Sequence, residues 1–200
     1  MPQISNLTVA ILAGGQSNRF GYPKMFAKYG QKTFLEHCLH FSLELSKSVF
    51  ILIGCHARSY FNFPHCYQDL YSHHGPLGGI YTALQYSPAP YIAIVPCDMP
   101  FLSQDIYREL YTFRQPHRPI AAQVDHYIHP LVSLWPKELA VQIEKNLQRN
   151  KNCVNDIFKT LRGLALPIMA DAAVFSDMNT QKDYNFFKLK TTSQVHATRY

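Results

Sequence analysis

The sequence contains no apolar run long enough to cross a bilayer as a helix, which requires about 20 residues. The short apolar run near its N-terminus is not preceded by basic residues, so it does not have the features of a secretory signal peptide. Its five cysteines are widely spread, odd in number and without a C-x-x-C pair, which argues against a disulfide framework. We therefore expect a cytoplasmic protein, not associated with a membrane, whose thiols are reduced and mostly buried.

Dense basic runs and internal repeats are also absent. There are 19 Lys plus Arg residues against 13 Asp plus Glu, a formal charge of +6, but the basic residues are scattered. This excess favours anionic ligands in general and does not indicate nucleic acid. A chain of 200 residues, 47% of them hydrophobic, suits one α/β domain. We expect a single domain over residues 1–200, with a tail that frays from about Lys188.

One segment near the N-terminus, LTVAILAGGQSNRFGYPK, combines a strand, a glycine turn and two cations. Its first six residues, Leu7–Leu12, are apolar or β-branched, as in a buried strand. Gly14 and Gly15 then allow a sharp turn whose backbone amides can bind an anion. Arg19 and Lys24 add positive charge behind that turn. This combination predicts a polyphosphate site.

The spacing of this segment excludes two better-known glycine loops. It matches neither the phosphate loop G-x-x-x-x-G-K-[ST] nor the dinucleotide-binding turn G-x-G-x-x-G. A simple tight turn with solvated cations would explain a lone glycine pair. It does not explain an arginine and a lysine at fixed offsets behind a strand, so we prefer the phosphate-binding interpretation.

Strand-like and helix-like segments alternate along the chain. The predicted strands are residues 7–12, 48–53, 66–68, 91–96, 118–124, 130–135 and 172–175. The predicted helices lie at residues 33–45, after Pro76, after a Ser103 cap, after Pro136, after an Asn152 cap and after Thr180, with a turn at residues 125–129. This alternation predicts an α/β fold, a mostly parallel, doubly wound (Rossmann-like) sheet with helices on both faces.

Three polar loops follow strands of this predicted sheet, at residues 13–24, 69–79 and 97–101. The carboxyl ends of parallel strands meet at one edge, where ligands bind in open α/β folds, so we expect the loops to converge. Asp69 precedes a glycine pair, and Asp98 follows the central strand. Because Mg²⁺ takes one or two carboxylates together with phosphates, Asp98 is the candidate metal ligand. An Asp98 that only forms a turn or caps a helix is disfavoured by the strand end and the nearby phosphate loop.

The segment that ends at Lys24 resembles the L-A-G-G-x-S-x-R-x-G-x-x-K signature of nucleotidyltransferases that activate small molecules with a nucleoside triphosphate. Further blocks occur in the order seen in molybdenum cofactor guanylyltransferases and together cover roughly residues 7–183. They are G-P-L-G-G at residues 75–79, C-D-M-P-F at residues 97–101, H-P-L at residues 129–131 and N-T at residues 179–180. The chain is thus similar to that family over nearly its whole length.

The resemblance implies which residues bind the nucleotide. In such enzymes the L-A-G segment, the lysine, the aspartate before G-P-L and the aspartate of the third loop bind GTP, and the last also holds Mg²⁺. The corresponding residues are Leu12, Ala13, Gly14, Lys24, Asp69 and Asp98, with Gly15 in the same turn. The expected catalytic residues are Arg19, Lys24 and Asp98, and the expected metal ligand is Asp98.

The resemblance also implies the reaction and the partners. A terminal phosphate of molybdopterin or Mo-molybdopterin would attack the α-phosphorus of GTP, and pyrophosphate would leave. That phosphate is largely ionised at neutral pH, because its second pKa is about 6, so we assign no general base. We expect GTP and molybdopterin as substrates, other proteins of molybdenum cofactor biosynthesis as partners, and a monomer.

Some residues depart from the family pattern. Relatives often have an asparagine-rich segment after the second strand, whereas residues 52–55 here read L-I-G-C, which leaves a backbone contact to the nucleotide but no amide side chain. Phe20 replaces the usual methionine, and Asp177 stands where asparagine is more frequent. His126 and His129 are interpreted as loop or substrate-side residues rather than catalytic bases.

Two other functions stay open at this stage. The first is a nucleotidyltransferase that uses CTP, UTP or dTTP and another phosphorylated acceptor; the G-P-L-G-G and H-P-L blocks argue against it. The second is a nucleotide-binding module without turnover, which the presence of Arg19, Lys24 and Asp98 argues against.

Overall fold

A computed structural model describes residues 1–14, 22–54 and 63–178 of the chain. In these residues, seven strands form one sheet in the order β5-β4-β1-β6-β8-β7-β9, and two short strands, β2 and β3, form a separate hairpin. The strands are β1 (Leu7–Leu12), β2 (Lys28–Tyr29), β3 (Lys32–Thr33), β4 (Ser48–Leu52), β5 (Cys66–Tyr67), β6 (Tyr91–Pro96), β7 (Ile120–Val124), β8 (Tyr127–Pro136) and β9 (Leu164–Pro167). The helices are α1 (Phe34–Leu45), α2 (Gly75–Tyr86), α3 (Gln104–Thr112), α4 (Ala140–Leu147) and α5 (Val154–Thr160).

The sheet is mostly parallel, as the alternation of strands and helices predicts. Strands β5, β4, β1 and β6 run parallel to one another, and β9 is parallel to β7. Strand β8 is antiparallel to both of its neighbours, β6 and β7. The reason is local: a tight turn at Asp125, whose φ is 53°, joins β7 directly to β8, and a turn of this length connects only antiparallel strands.

Helices cover both faces of the sheet, which confirms the doubly wound architecture. On one face α1 and α3 bury Phe34, Cys38 and Tyr107 against the strands. On the other face α2, α4 and α5 pack around Ile80 and Trp135. Since the parallel strands are covered on both sides, their sequences are apolar throughout rather than alternating.

Helix α1 begins where its sequence predicts. The hydroxyl of Thr33 accepts from the backbone amide of Glu36, and the Glu36 carboxylate accepts from the amide of Thr33. This reciprocal cap satisfies two amides that the first helical turn leaves without partners, a contribution of about 1 kcal/mol.

Several predicted boundaries are wrong. Residues 172–175 form a 3-10 turn rather than a strand, because the Asp171 carboxylate accepts from the amide of Ala173 and bends the chain. The last strand is instead β9, which pairs with β7. Strand β8 already begins at Tyr127, so the predicted turn at residues 125–129 is shorter. The residue that precedes α5 is Cys153 rather than Asn152.

Four of the five cysteines lie in the described part of the chain, and all four are free thiols. Cys38 and Cys97 are buried, Cys66 is half-buried and Cys153 is exposed, so burial of the thiols is less general than expected. No helix among the described residues is long and apolar enough to span a membrane.

Candidate active site

The loops that follow β1, β4 and β6 leave the sheet at the same edge. The hydrogen-bond ladder continues for one residue beyond the strands: the amide of Ala13 donates to the carbonyl of Leu52 at 2.7 Å, and that of Cys97 donates to the carbonyl of Leu12 at 3.1 Å. Leu12 and Ala13 therefore lie between the other two strand ends. A ligand bound at this edge would lie beside the ends of all three strands.

Gly14 and Gly54 bring two of these loops into backbone contact. A β-carbon at Gly14 would lie 2.5 Å from the amide nitrogen of Gly54, closer than any side chain permits. Gly54 itself has a φ of +62°, a conformation that favours glycine. The turn after β1 is thus packed against the turn after β4 without side chains between them, which leaves backbone groups at the surface of the site.

Lys24 and Asp98 form an ion pair between the first loop and the third. The ammonium nitrogen of Lys24 lies 3.0 Å from Oδ2 of Asp98. Lys24 begins a short 3-10 turn, Lys24–Phe26, which is held from inside by the buried side chain of Met25. The side chain of Asp98 is 33% exposed, so the carboxylate faces solvent as well as the lysine.

Asp69 lies at the junction of β5 and α2, against the first turn of that helix. A β-carbon at Gly79 would lie 3.5 Å from Oδ1 of Asp69 and 2.9 Å from Cδ2 of Leu12. Glycine at this position therefore allows the carboxylate to approach the end of β1. Pro76 occupies the first turn of α2, where its missing amide and fixed φ are tolerated.

The carboxylate of Asp69 has a buried oxygen. Its Oδ1 is shielded from solvent, and no donor within residues 1–14, 22–54 and 63–178 forms a hydrogen bond to it. Burial raises the pKa of Asp69 from 3.8 to about 6, because a charged carboxylate loses hydration there and gains no compensating donor. An unpartnered buried acceptor costs about 1–3 kcal/mol, so it is more often found where a ligand supplies the donor.

The structure therefore brings together six of the predicted site residues. They are Leu12, Ala13, Gly14, Lys24, Asp69 and Asp98. Two others, Gly15 and Arg19, lie outside the described residues, as do Asn179 and Thr180 of the last predicted block. The role of each residue stays a prediction, because geometry alone does not assign one.

The end of the described chain reaches the same site, which the sequence did not predict. The amide of Met178 donates to the carbonyl of Asp98 at 3.0 Å, and the Met178 side chain is fully buried. Three residues earlier, the ring of Phe175 lies 4.7 Å from that of His129 on β8. The sequence gives no signal for the hydrogen bond between Met178 and Asp98, because it joins two backbone groups and depends on neither side chain.

The donor set at this edge fits Mg²⁺ that arrives with a nucleotide. No group of three or more His, Cys, Asp or Glu side chains that could hold a metal occurs in the described residues. Asp98 is a single hard oxygen donor, and Mg²⁺ in nucleotide sites commonly takes one or two carboxylates, the remaining ligands being phosphates and water.

Comparison with known proteins gives one consistent result. Residues 9–164 match the model of the MobA-like NTP transferase domain. A "Probable molybdenum cofactor guanylyltransferase" of Geobacillus sp. (strain WCH70) is 30% identical, with 91% of this chain and 98% of that protein covered. One of the same name from Clostridium perfringens (strain SM101 / Type A) is 28% identical, with 94% and 93% covered.

A solved structure supports the fold. Molybdopterin-guanine dinucleotide biosynthesis protein A of Archaeoglobus fulgidus superposes with a TM-score of 0.79 at 18% identity, covering 93% of this chain and 99% of that one. Since the family model spans well over half of the chain, the protein belongs to the MobA-like NTP transferase family of nucleotidyltransferases.

Proposed function

We propose that this protein transfers GMP from GTP to the terminal phosphate of molybdopterin or Mo-molybdopterin and releases pyrophosphate. The observation that carries the proposal is the buried, unpartnered Oδ1 of Asp69 beside the end of β1. The relatives that are named molybdenum cofactor guanylyltransferases support the same substrate pair.

In this proposal Asp69 reads the guanine base. An ionised carboxylate accepts hydrogen bonds from guanine N1–H and N2–H₂, and these donors would satisfy the oxygen that the protein leaves unpaired. Adenine has no proton on N1, so one acceptor would face another.

Lys24 and Asp98 would serve the phosphates. Mg²⁺ held by Asp98 and by the nucleotide phosphates would supply positive charge where negative charge develops on the leaving pyrophosphate. Lys24, which bonds Asp98 in this structure, is close enough to turn from the carboxylate to a phosphate oxygen. Arg19 and the amide of Gly15 complete the proposed phosphate site.

No protein base is needed for the acceptor. A phosphate monoester is largely a dianion at neutral pH, because its second pKa is about 6. The protein's task is then to align its terminal oxygen with the α-phosphorus and to offset charge.

The proposal is tested by transfer assays with purified protein, Mg²⁺ and molybdopterin, in which GTP, ATP, CTP and UTP are supplied in parallel. We expect a dinucleotide product and pyrophosphate when GTP is supplied, and no product with ATP, CTP or UTP. A product with CTP instead would identify a cytidylyltransferase. Nucleotide binding without any product, with molybdopterin of verified integrity, would identify a module without turnover.

A further inference from the structure

The pairing of β6 with β8 stops short of the edge where Asp98 lies, and this unpaired stretch is the gap between the two strands. Pairing between these strands ends at Ile94 and Ser133, although β6 continues to Pro96 in register with β1. On the other side of β8, pairing with β7 jumps from Ser133 to His129. Residues 130–132 therefore form a bulge in β8, directly beyond the last residue paired with β6, and bulges often lie beside binding sites.

The bulge is held in place by its own hydrogen bond. The hydroxyl of Ser133 donates to the carbonyl of Pro130 at 2.6 Å, and this hydroxyl also accepts from the indole N–H of Trp135 at 2.8 Å. Trp135 is fully buried, so this hydrogen bond ties Ser133, at the end of the bulge, to the core. The bulge is thus held by contacts within the sheet.

His129 lies at the start of this gap with unused hydrogen-bonding capacity. It is half-buried, and its ring packs at 4.7 Å and 40° against Phe175. Neither ring nitrogen has a hydrogen-bond partner among the residues that the structure describes. Burial lowers the pKa of His129, so at neutral pH the ring is uncharged and offers one donor and one acceptor.

The same gap is connected to the third loop. Phe175 is buried, and Met178 three residues later bonds the carbonyl of Asp98. One short segment, residues 175–178, therefore contacts His129 at its start and the proposed metal ligand Asp98 at its end.

We propose that His129 binds the body of the acceptor, a phosphomonoester attached to a heterocyclic ring, and that this ring lies in the gap between β6 and β8. This inference rests on the proposed function, since it requires an acceptor. His129 is separated from Asp98 by Phe175 and Met178, so it contacts the ring system rather than the phosphate that reacts at Asp98. An uncharged imidazole beside an aromatic side chain matches a heterocycle, which presents donors and acceptors on its edge and a flat face.

The test compares wild type with His129→Ala, His129→Asn and His129→Phe, using molybdopterin as acceptor at saturating GTP and Mg²⁺. We expect His129→Ala to raise the KM for molybdopterin at least tenfold, with kcat changed less than threefold. His129→Asn, which keeps a donor and an acceptor, should recover part of that loss. His129→Phe, which keeps only the aromatic packing, should not.

His126→Ala is the matched control, because His126 is an exposed histidine in the same hairpin. It should leave every parameter within twofold of wild type. The affinity for GTP with Mg²⁺, measured by calorimetry without acceptor, should also stay within twofold in all His129 variants. A purely structural role would instead lower the melting temperature and GTP affinity together, and His129→Phe would restore them.

An unchanged KM for molybdopterin in His129→Ala would overturn the inference while leaving the proposed function intact. A wild-type protein that binds GTP but transfers nothing to molybdopterin would overturn both.

Discussion

The ammonium nitrogen of Lys24 lies 3.0 Å from Oδ2 of Asp98, across 74 residues of sequence. The two charged groups offset each other at the end of the central strand before any nucleotide arrives. In the function proposed above, a triphosphate with Mg²⁺ would offer each of them a stronger partner, since the metal would attract the carboxylate and the phosphates would attract the ammonium. The proposal therefore requires the pair to separate when substrate binds.

Replacement of Asp98 by Asn should abolish transfer that depends on Mg²⁺ and leave the fold intact, because it removes a charge but little volume. We expect the rate to fall by at least a hundredfold at saturating Mg²⁺, as for loss of a direct metal ligand. The check is the initial rate as a function of Mg²⁺ concentration. Asp105→Asn, on the exposed first turn of α3, is the control. Near-normal turnover in Asp98→Asn would show that Asp98 does not bind the metal.

Lys24→Ala should weaken binding of GTP more than binding of GMP, because the ammonium is expected to face the pyrophosphate half. A hydrogen bond to a charged group contributes about 1.5–3 kcal/mol, or roughly one to two factors of ten in affinity. Calorimetric titration of both nucleotides measures the difference. Lys28→Ala, four residues along and exposed, is the control and should change neither affinity. Equal losses of GTP and GMP affinity in Lys24→Ala would show that the ammonium does not face the pyrophosphate half.

Asp69→Ala should lower the affinity for GTP and largely erase its margin over ATP. Loss of a matched buried acceptor costs about 1–3 kcal/mol, which is about one to two decades in affinity. The comparison needs GTP and ATP titrated into wild type and variant at one Mg²⁺ concentration. If the ratio of GTP affinity to ATP affinity is the same in Asp69→Ala as in wild type, backbone groups near Leu12 or Gly78 read the base, and Asp69 has a structural role.

The raised pKa of Asp69 makes two pH effects testable. Its folded pKa of about 6 exceeds the unfolded value of 3.8, so between these values the folded state binds the extra proton and is stabilised as the pH falls. Without nucleotide, Asp69→Asn should therefore raise the free energy of unfolding at pH 7.5 by about 1–2 kcal/mol, part of the shift being screened by solvent. At pH 4 that gain should vanish. GTP affinity of wild type should decline below about pH 6, as the carboxylate is protonated.

Urea unfolding at pH 4 and pH 7.5 measures the first effect, and GTP titration between pH 5 and pH 8 measures the second. A stability difference that is the same at both pH values would contradict a desolvated carboxylate at this position. A flat binding profile would contradict base reading by the ionised form.

Gly14→Ala should abolish GTP binding and destabilise the protein, because its methyl group would lie 2.5 Å from the amide nitrogen of Gly54. Two backbones must then separate, at a cost of about 1–3 kcal/mol. Gly30→Ala is a useful comparison: it is also unfavourable, since φ is +63°, but a β-carbon there meets no atom within 4 Å. That variant should lose about 1 kcal/mol of stability and keep its affinity for GTP. Equal GTP affinity in both variants would mean that the close contact has no part in the site.

The features that the sequence predicted best are those that depend on local pattern. Strands β1 and β6 occur at the predicted residues, because an uninterrupted apolar run with a glycine or polar loop behind it has few alternatives in a buried parallel sheet. Asp69 and Asp98 were placed at one edge by the same reasoning. The Lys24–Asp98 distance could not be predicted, because the two residues are 74 positions apart and no local pattern sets the distance between them.

The second half of the chain was harder to predict. The bulge at residues 130–132 arises from a three-residue mismatch between β7 and β8, and a short apolar segment such as P-L-V reads equally well as a regular strand. Residues 164–167 (L-A-L-P) and residues 172–175 (A-A-V-F) are both apolar segments of four residues. Only pairing with β7 makes the first of them a strand, β9, whereas the second forms a 3-10 turn.

The strand order has a consequence for how such genes diverge. Every strand from the far edge at β5 to β6 is encoded before codon 97, and every strand beyond β6 after codon 119. Leu12, Lys24 and Asp69 thus lie in one half of the reading frame, whereas His129 and Phe175 lie in the other, with Asp98 at the boundary. A crossover between two related genes in the codons just after Asp98 would pass on as a unit the half that we propose reads the base, and would exchange the half that we propose selects the acceptor. Acceptor choice can in this way change by recombination while the nucleotide donor is inherited unaltered.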